Sequence, residues 1–137
     1  MKDTQPEACR IRTPDQLREL VAQRPSGPCR CGLQRCGVWD SISDVDWPAA
    51  HMHCVADLRD PDIAEPSFEE YHPRGTRYSS ADAPVALGYF PTNRCEVHRC
   101  TRCSRHWLRY TEFGGYYVDH RVRELLPDSI ADLPAPA

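Results

Sequence analysis

Polar and apolar residues alternate most regularly between Trp107 and Phe113. Leu108, Tyr110 and Glu112 fall on one side of an extended chain there, and Arg109, Thr111 and Phe113 on the other. Gly114-Gly115 interrupts the pattern with two residues that tolerate the positive φ angles of a two-residue hairpin turn, and Tyr116, Tyr117 and Val118 start a return strand. Arg121 to Leu126 either extends that strand or forms a helical turn, and Pro127 ends it. Near the other end of the chain the period changes. Thr13-Pro14-Asp15 supplies an N-cap, a first-turn proline and a first-turn acid, and Leu17, Leu20 and Val21 recur at helical spacing, so the pattern predicts a short helix over 14–24. Alternation at His51 to Leu58 predicts a strand with His51 and His53 on one face and Met52, Cys54 and Ala56 on the other. Val85 to Phe90 reads as a buried strand, and 59–84, rich in proline and polar residues, as a long ordered loop anchored by Phe68, Tyr71 and Tyr78. Trp39 and Trp47 read as core aromatics between acidic turns. The expected fold is α+β, mostly β: one compact domain over 1–137 with a short N-terminal helix and a C-terminal β-hairpin, frayed at 1–12 and 134–137.

Composition adds a requirement to this picture. Aliphatic residues are sparse in 137 residues and thirteen prolines interrupt the chain, so a hydrophobic core alone is thin and cross-linking is expected. Eight cysteines can supply it. The segment from Met1 to Ile11 is polar and carries no apolar signal core, and no run approaches the length of a membrane span, which predicts a cytoplasmic protein. In that compartment thiols stay reduced, and clustered cysteines bind metal more often than they form disulfides. Six of the eight are clustered, as Cys29, Cys31 and Cys36 and as Cys95, Cys100 and Cys103. The two residues between Cys100 and Cys103, and the glycines after Cys31 and Cys36, let tight turns present thiolates to tetrahedral Zn2+. The economical arrangement takes two ligands from each cluster and clamps distant segments together; His51, His53, Cys54, His98 and His106 are further candidate ligands.

The net charge of -3 conceals a strong asymmetry. Between Gly37 and His72, nine acids (Asp40, Asp44, Asp46, Asp57, Asp60, Asp62, Glu65, Glu69 and Glu70) stand against Arg59 alone. Between Thr92 and Tyr110, five arginines (Arg94, Arg99, Arg102, Arg105 and Arg109) stand against Glu96. The acids, interleaved with aromatics, suit a basic protein partner, with Asp40, Asp44, Asp46, Asp57, Asp60, Asp62, Glu69 and Glu70 supplying the complementary charge. The arginines, with Trp107, Tyr110, Tyr116 and Tyr117 as stacking surfaces, suggest the alternative of a small zinc-knuckle nucleic-acid-binding protein.

Catalysis finds little purchase. Zinc deaminases need His-x-Glu followed by Pro-Cys-x-x-Cys, whereas His53 occupies the Glu position after His51, and Arg99 precedes Cys100. Val118-Asp119-His120 is similar to the Asp-His step of His-Asn-His nucleases, but no later Asn, His or Cys follows His120. Cys54 near His51 and His53 is the only candidate for an activated thiolate. The expectation is a protein without enzymatic activity.

Four strings in the C-terminal half carry a resemblance: Phe68-Glu-Glu-Tyr-His-Pro-Arg-Gly-Thr-Arg-Tyr78, Tyr89-Phe-Pro-Thr-Asn-Arg-Cys95, Cys100-x-x-Cys103, and Leu108-Arg-Tyr-Thr-Glu-Phe-Gly-Gly-Tyr-Tyr-Val-Asp119. Together they resemble small cysteine-rich bacterial proteins similar to immunity partners of secreted toxins. The resemblance implies a cytoplasmic protein that binds and neutralises a toxin domain and performs no chemistry itself. His98 lies outside these strings.

Overall fold

A computed structural model describes residues 9–22, 38–113 and 115–132. Among them the protein is mostly β, with one α-helix and a six-stranded sheet. The strands are β1 (Cys9–Arg10), β2 (Asp40–Ile42), β3 (Met52–Asp57), β4 (Glu96–Cys100), β5 (His106–Phe113) and β6 (Val118–Glu124), in the order β1-β3-β4-β5-β6-β2. All neighbours are antiparallel except β1, which runs parallel to β3. The longest pairing, β5 with β6, extends from Trp107 opposite Glu124 to Phe113 opposite Val118; Gly114 lies outside the described residues.

Helix α1 (Pro14–Leu20) starts where its signals place it. The Thr13 hydroxyl accepts from the Gln16 backbone N–H at 3.1 Å, and the Gln16 side chain accepts from Thr13 N–H at 3.1 Å, a reciprocal cap. Leu17 is fully buried beneath it. Seven residues are too few for a helix to persist unaided in water, so this contact holds α1 in place.

The two faces of the sheet bury separate clusters. On one face α1 and the connection before β4 cover Trp39, Ala56, Val85, Leu87, Cys95, Val97, Leu108 and Tyr110, with Leu17 and Val21 of the helix segment. Here Trp39 stacks on Tyr78 and meets Tyr110 edge-on, and the Tyr78 and Tyr110 hydroxyls share a hydrogen bond of 2.6 Å. Arg123 is also buried on this side and donates to the Ala83 carbonyl at 2.6 Å. The other face buries a smaller cluster, Cys100, Cys103, Trp107 and Val122, flanked by Ile42, Trp47 and Met52.

Several local expectations give way to tertiary context. Val85 to Phe90 forms turns and a single bridge, Val85 to Ile130, because its apolar side chains are buried by the loop packing without a strand partner. Asp40–Ile42, expected as a turn, pairs with β6 along Asp40 to Val122 and Ile42 to His120. Cys95 to Cys103, expected as one knuckle, contains all of β4, and only 101–105 turns back; Ser104 there adopts a left-handed φ of 66°. Strand β3 carries the largest consequence. His51 lies in a 3-10 turn, and the register slips at Val55, so that Cys54 pairs with His98 and Ala56 with Val97. A regular strand would put Cys54 and Ala56 on one face. The bulge instead sends Ala56 into the larger cluster and leaves Cys54 on the opposite face with Met52.

Candidate metal centre

On β4, Glu96 and His98 are two residues apart and so project from the same side of the pleat. Across the ladder Cys54 stands opposite His98, on the side to which the bulge directs it. The three side chains therefore converge: Cys54 Sγ, a Glu96 carboxylate oxygen and a His98 ring nitrogen all lie within 4.8 Å of one another. This Cys/Glu/His group could hold a metal ion, and it is the one such trio among the described residues.

Its surroundings fix the donors. Glu96 Oε1 is 3.3 Å from His98 Nε2, while Glu96 Oε2 accepts from Arg59 Nη2 at 3.2 Å. Arg59 is in turn clamped to Asp57 by two contacts of 2.9 Å. His98 packs beneath Trp47, ring against edge with centroids 5.2 Å apart, and Arg109 covers Trp47 from beyond at 4.6 Å. The hydrogen bond from His98 and the charge of Arg59 hold the Glu96 carboxyl below its usual range against the opposing effect of burial. Partial burial, reinforced by the charge of Glu96, pushes the Cys54 thiol up, and a bound cation would favour the thiolate against both effects.

The clustered cysteines are distributed differently. Cys29, Cys31 and Cys36 lie outside the described residues. Cys100 and Cys103 share the smaller cluster, brought together by the turn in which Cys100 N–H donates to Arg105 O and Ser104 N–H to Cys100 O, both at 2.9 Å. Cys95 is odd in the alternation that puts Cys100 on the even side, and it belongs to the larger cluster on the opposite face. Its thiol donates to the Pro91 carbonyl at 3.2 Å, and complete burial raises its pKa well above that of a free thiol. Cys9 is exposed on β1. Of the expected further ligands, His53 and His106 sit on the face opposite His98, each directly across the ladder from Arg99. Glu96 is the candidate ligand that sequence reasoning passed over. Glu96-x-His98 at strand spacing was its available signal, but Cys54 joins only through the cross-strand register.

The acidic block is divided in space by the strand order. Asp40, Asp44 and Asp46 lie on or just after β2, at one edge of the sheet. Asp57, Asp60 and Asp62 lie on or just after β3, beside β1 at the other edge. Four inter-strand spacings of about 4.8 Å separate β2 from β3, roughly 19 Å in all. Some of these carboxylates are already engaged: Asp44 with His120 Nε2 at 3.1 Å, Asp57 with Arg59, and Glu70 with His72 at 2.7 Å. Glu69 and Asp60 line a cavity of about 470 Å³ with Arg10, Arg12 and Arg59. At the β5–β6 end, beside the loop that carries Asp44 and Asp46, large apolar residues face solvent: Phe113 (75% exposed), Tyr116 (104%), Tyr117 and Val118, with Val45 (92%) between the two acids.

No protein family, curated protein or solved structure matches this chain. No helix among the described residues is long and apolar enough to cross a membrane.

Proposed function

We propose that this chain is a non-catalytic zinc-binding protein that captures and neutralises a protein partner, an antibacterial toxin domain, as an immunity protein does. The observation that carries the reading is the solvent-facing group Phe113, Tyr116, Tyr117, Val118 and Val45 beside the exposed acids Asp44 and Asp46. Aromatic side chains that their own fold leaves more than half exposed are available as anchors, and adjacent carboxylates steer a basic partner to them. The likeness of four sequence strings to immunity partners supplies the partner class.

The nucleic-acid alternative has less support, because its arginines are largely occupied. Arg94 stacks on Phe68 at 4.3 Å and donates to Pro66 O, Arg105 faces Glu124, and Arg109 lies between Trp47 and Asp44. The test is growth rescue and calorimetry with candidate toxin domains, using the full chain, Tyr116→Ser/Tyr117→Ser and Asp44→Lys/Asp46→Lys. Each lost anchor is expected to cost about 2 kcal/mol of binding, roughly thirtyfold, with the unfolding transition unchanged in the tyrosine variant and, because Asp44 pairs with His120 and Arg109, lowered but still cooperative in the charge reversal. Full neutralisation by both variants would refute this surface. Salt-dependent RNA or DNA binding without any toxin neutralised would favour the alternative.

A further inference from the structure

We infer that Cys54, Glu96 and His98 form a half-open zinc site, holding one Zn2+ through Sγ, Oε1 and Nε2 with solvent in the fourth position. This inference rests on the zinc reading above and gives a zinc a ligand set that includes neither Cys100 nor Cys103.

Distance supports it first. Tetrahedral zinc with bonds of about 2.05 Å to nitrogen and oxygen holds those two donors about 3.4 Å apart. Glu96 Oε1 and His98 Nε2 already stand 3.3 Å apart. A thiolate bonded at about 2.3 Å belongs about 3.6 Å from each. Cys54 Sγ lies within 4.8 Å of a Glu96 carboxylate oxygen and of a His98 ring nitrogen, so a shift of about 1 Å brings the sulfur to bonding separation. Its present hydrogen bond, to Ala56 O at 3.7 Å, is long and weak.

The supporting shell is also of the kind a metal site uses. Arg59 holds the second Glu96 oxygen, leaving Oε1 for monodentate ligation, and Asp57 holds Arg59. Trp47 fixes the imidazole plane and walls one side of the site. The other side is open: the Glu96 side chain is 38% exposed, that of His98 only 11%. Three donors with an accessible fourth position make an exchangeable centre, whereas a closed structural site uses four protein ligands. One sulfur, one nitrogen and one oxygen donor suit Zn2+ or its spectroscopic substitute Co2+ better than the oxygen-seeking Mg2+ or Ca2+.

The experiment titrates the full chain, demetallated and reduced, with Co2+. Expected is a contribution of single-thiolate intensity to the thiolate-to-cobalt charge-transfer absorption that persists in Cys100→Ser/Cys103→Ser and is missing from Cys54→Ser. Cys54→Ser and Glu96→Gln should each weaken Co2+ binding at this site by about 100-fold or more, and Arg59→Met by about tenfold, through the loss of its hold on Glu96. Azide should shift the cobalt d–d bands by taking the solvent position; no response would overturn the open coordination. Zinc-edge X-ray absorption on the unmodified chain gives a measurement that does not depend on any variant folding. A first shell mixing sulfur with nitrogen and oxygen supports the site. An all-sulfur shell, or cobalt binding indifferent to Cys54→Ser and Glu96→Gln, overturns it while leaving zinc elsewhere. A chain that takes up no metal sinks the zinc reading itself, and failure to neutralise any toxin touches neither result.

Discussion

Acidification should destabilise this protein through His106. The residue is 5% exposed at the start of β5, directly across the ladder from Arg99. Burial, and then the guanidinium of Arg99, depress its pKa from 6.5 to about 4. In the unfolded chain His106 takes up a proton as pH falls through 6.5, whereas in the folded protein it stays neutral until about 4. Between those values the unfolded state binds more protons, so stability is fully present above 6.5 and is lost as pH falls through 4. A depression of 2.5 units (6.5 to about 4) corresponds to about 3 kcal/mol over the whole range. At pH 5 the loss already amounts to about 2 kcal/mol. That is a substantial share of the 5–15 kcal/mol that holds an ordinary domain folded. Urea unfolding of the wild type and of His106→Gln at pH 7.5 and pH 5.0 isolates the contribution, because every other titrating group is common to both chains. The difference in stability between the two pH values should be about 2 kcal/mol smaller in the variant. Equal pH dependence in the two chains would mean that His106 is hydrated or charged in the folded state, and the reasoning from its burial would be wrong.

Two further substitutions probe the larger core, beside the binding and metal experiments described above. Leu17→Ala removes the fully buried anchor of a seven-residue helix, and a loss of about 2–4 kcal/mol is expected in urea unfolding, with hydrogen exchange in α1 accelerated more than in β5; a loss under about 1 kcal/mol would show that the helix is held elsewhere. Tyr110→Phe deletes one partner of the 2.6 Å hydroxyl pair with Tyr78 and should cost about 1 kcal/mol by thermal or urea unfolding, whereas an unchanged midpoint would mean that water replaces the lost partner without penalty.

Much of the fold's local grammar could be read directly from the chain. Thr13-Pro14 with Gln16 starts the helix because those groups satisfy backbone donors within a few residues of one another, and no distant partner is needed. The alternation through Trp107 to Phe113 specifies an extended segment because a period of two sorts side chains by face locally. The burial of Trp39 follows in the same way from the size of its apolar surface. Thiol chemistry pointed to metal, and a Cys/Glu/His group able to hold one is present, although sequence reasoning concentrated on the paired cysteine clusters.

What the tertiary structure alone decided is which residues meet. Asp40 and Asp62 belong to one acidic run in the sequence, yet the strand order sets β2 and β3 four strands apart, because a sheet is ordered by pairing and not by position along the chain. Cys95 and Cys100 are five residues apart and separated by the sheet itself, since an odd spacing in a strand reverses the face. Cys54 meets His98 because one extra residue at Val55 turns it away from Ala56. A bulge of this kind arises from packing on both sides of β3: Ala56 is accommodated in the larger cluster while Met52 is held against the smaller one. Composition and spacing thus determined the chemistry available to this protein, and cross-strand register, which depends on contacts distant in sequence, determined where three of those groups come close enough to share an ion.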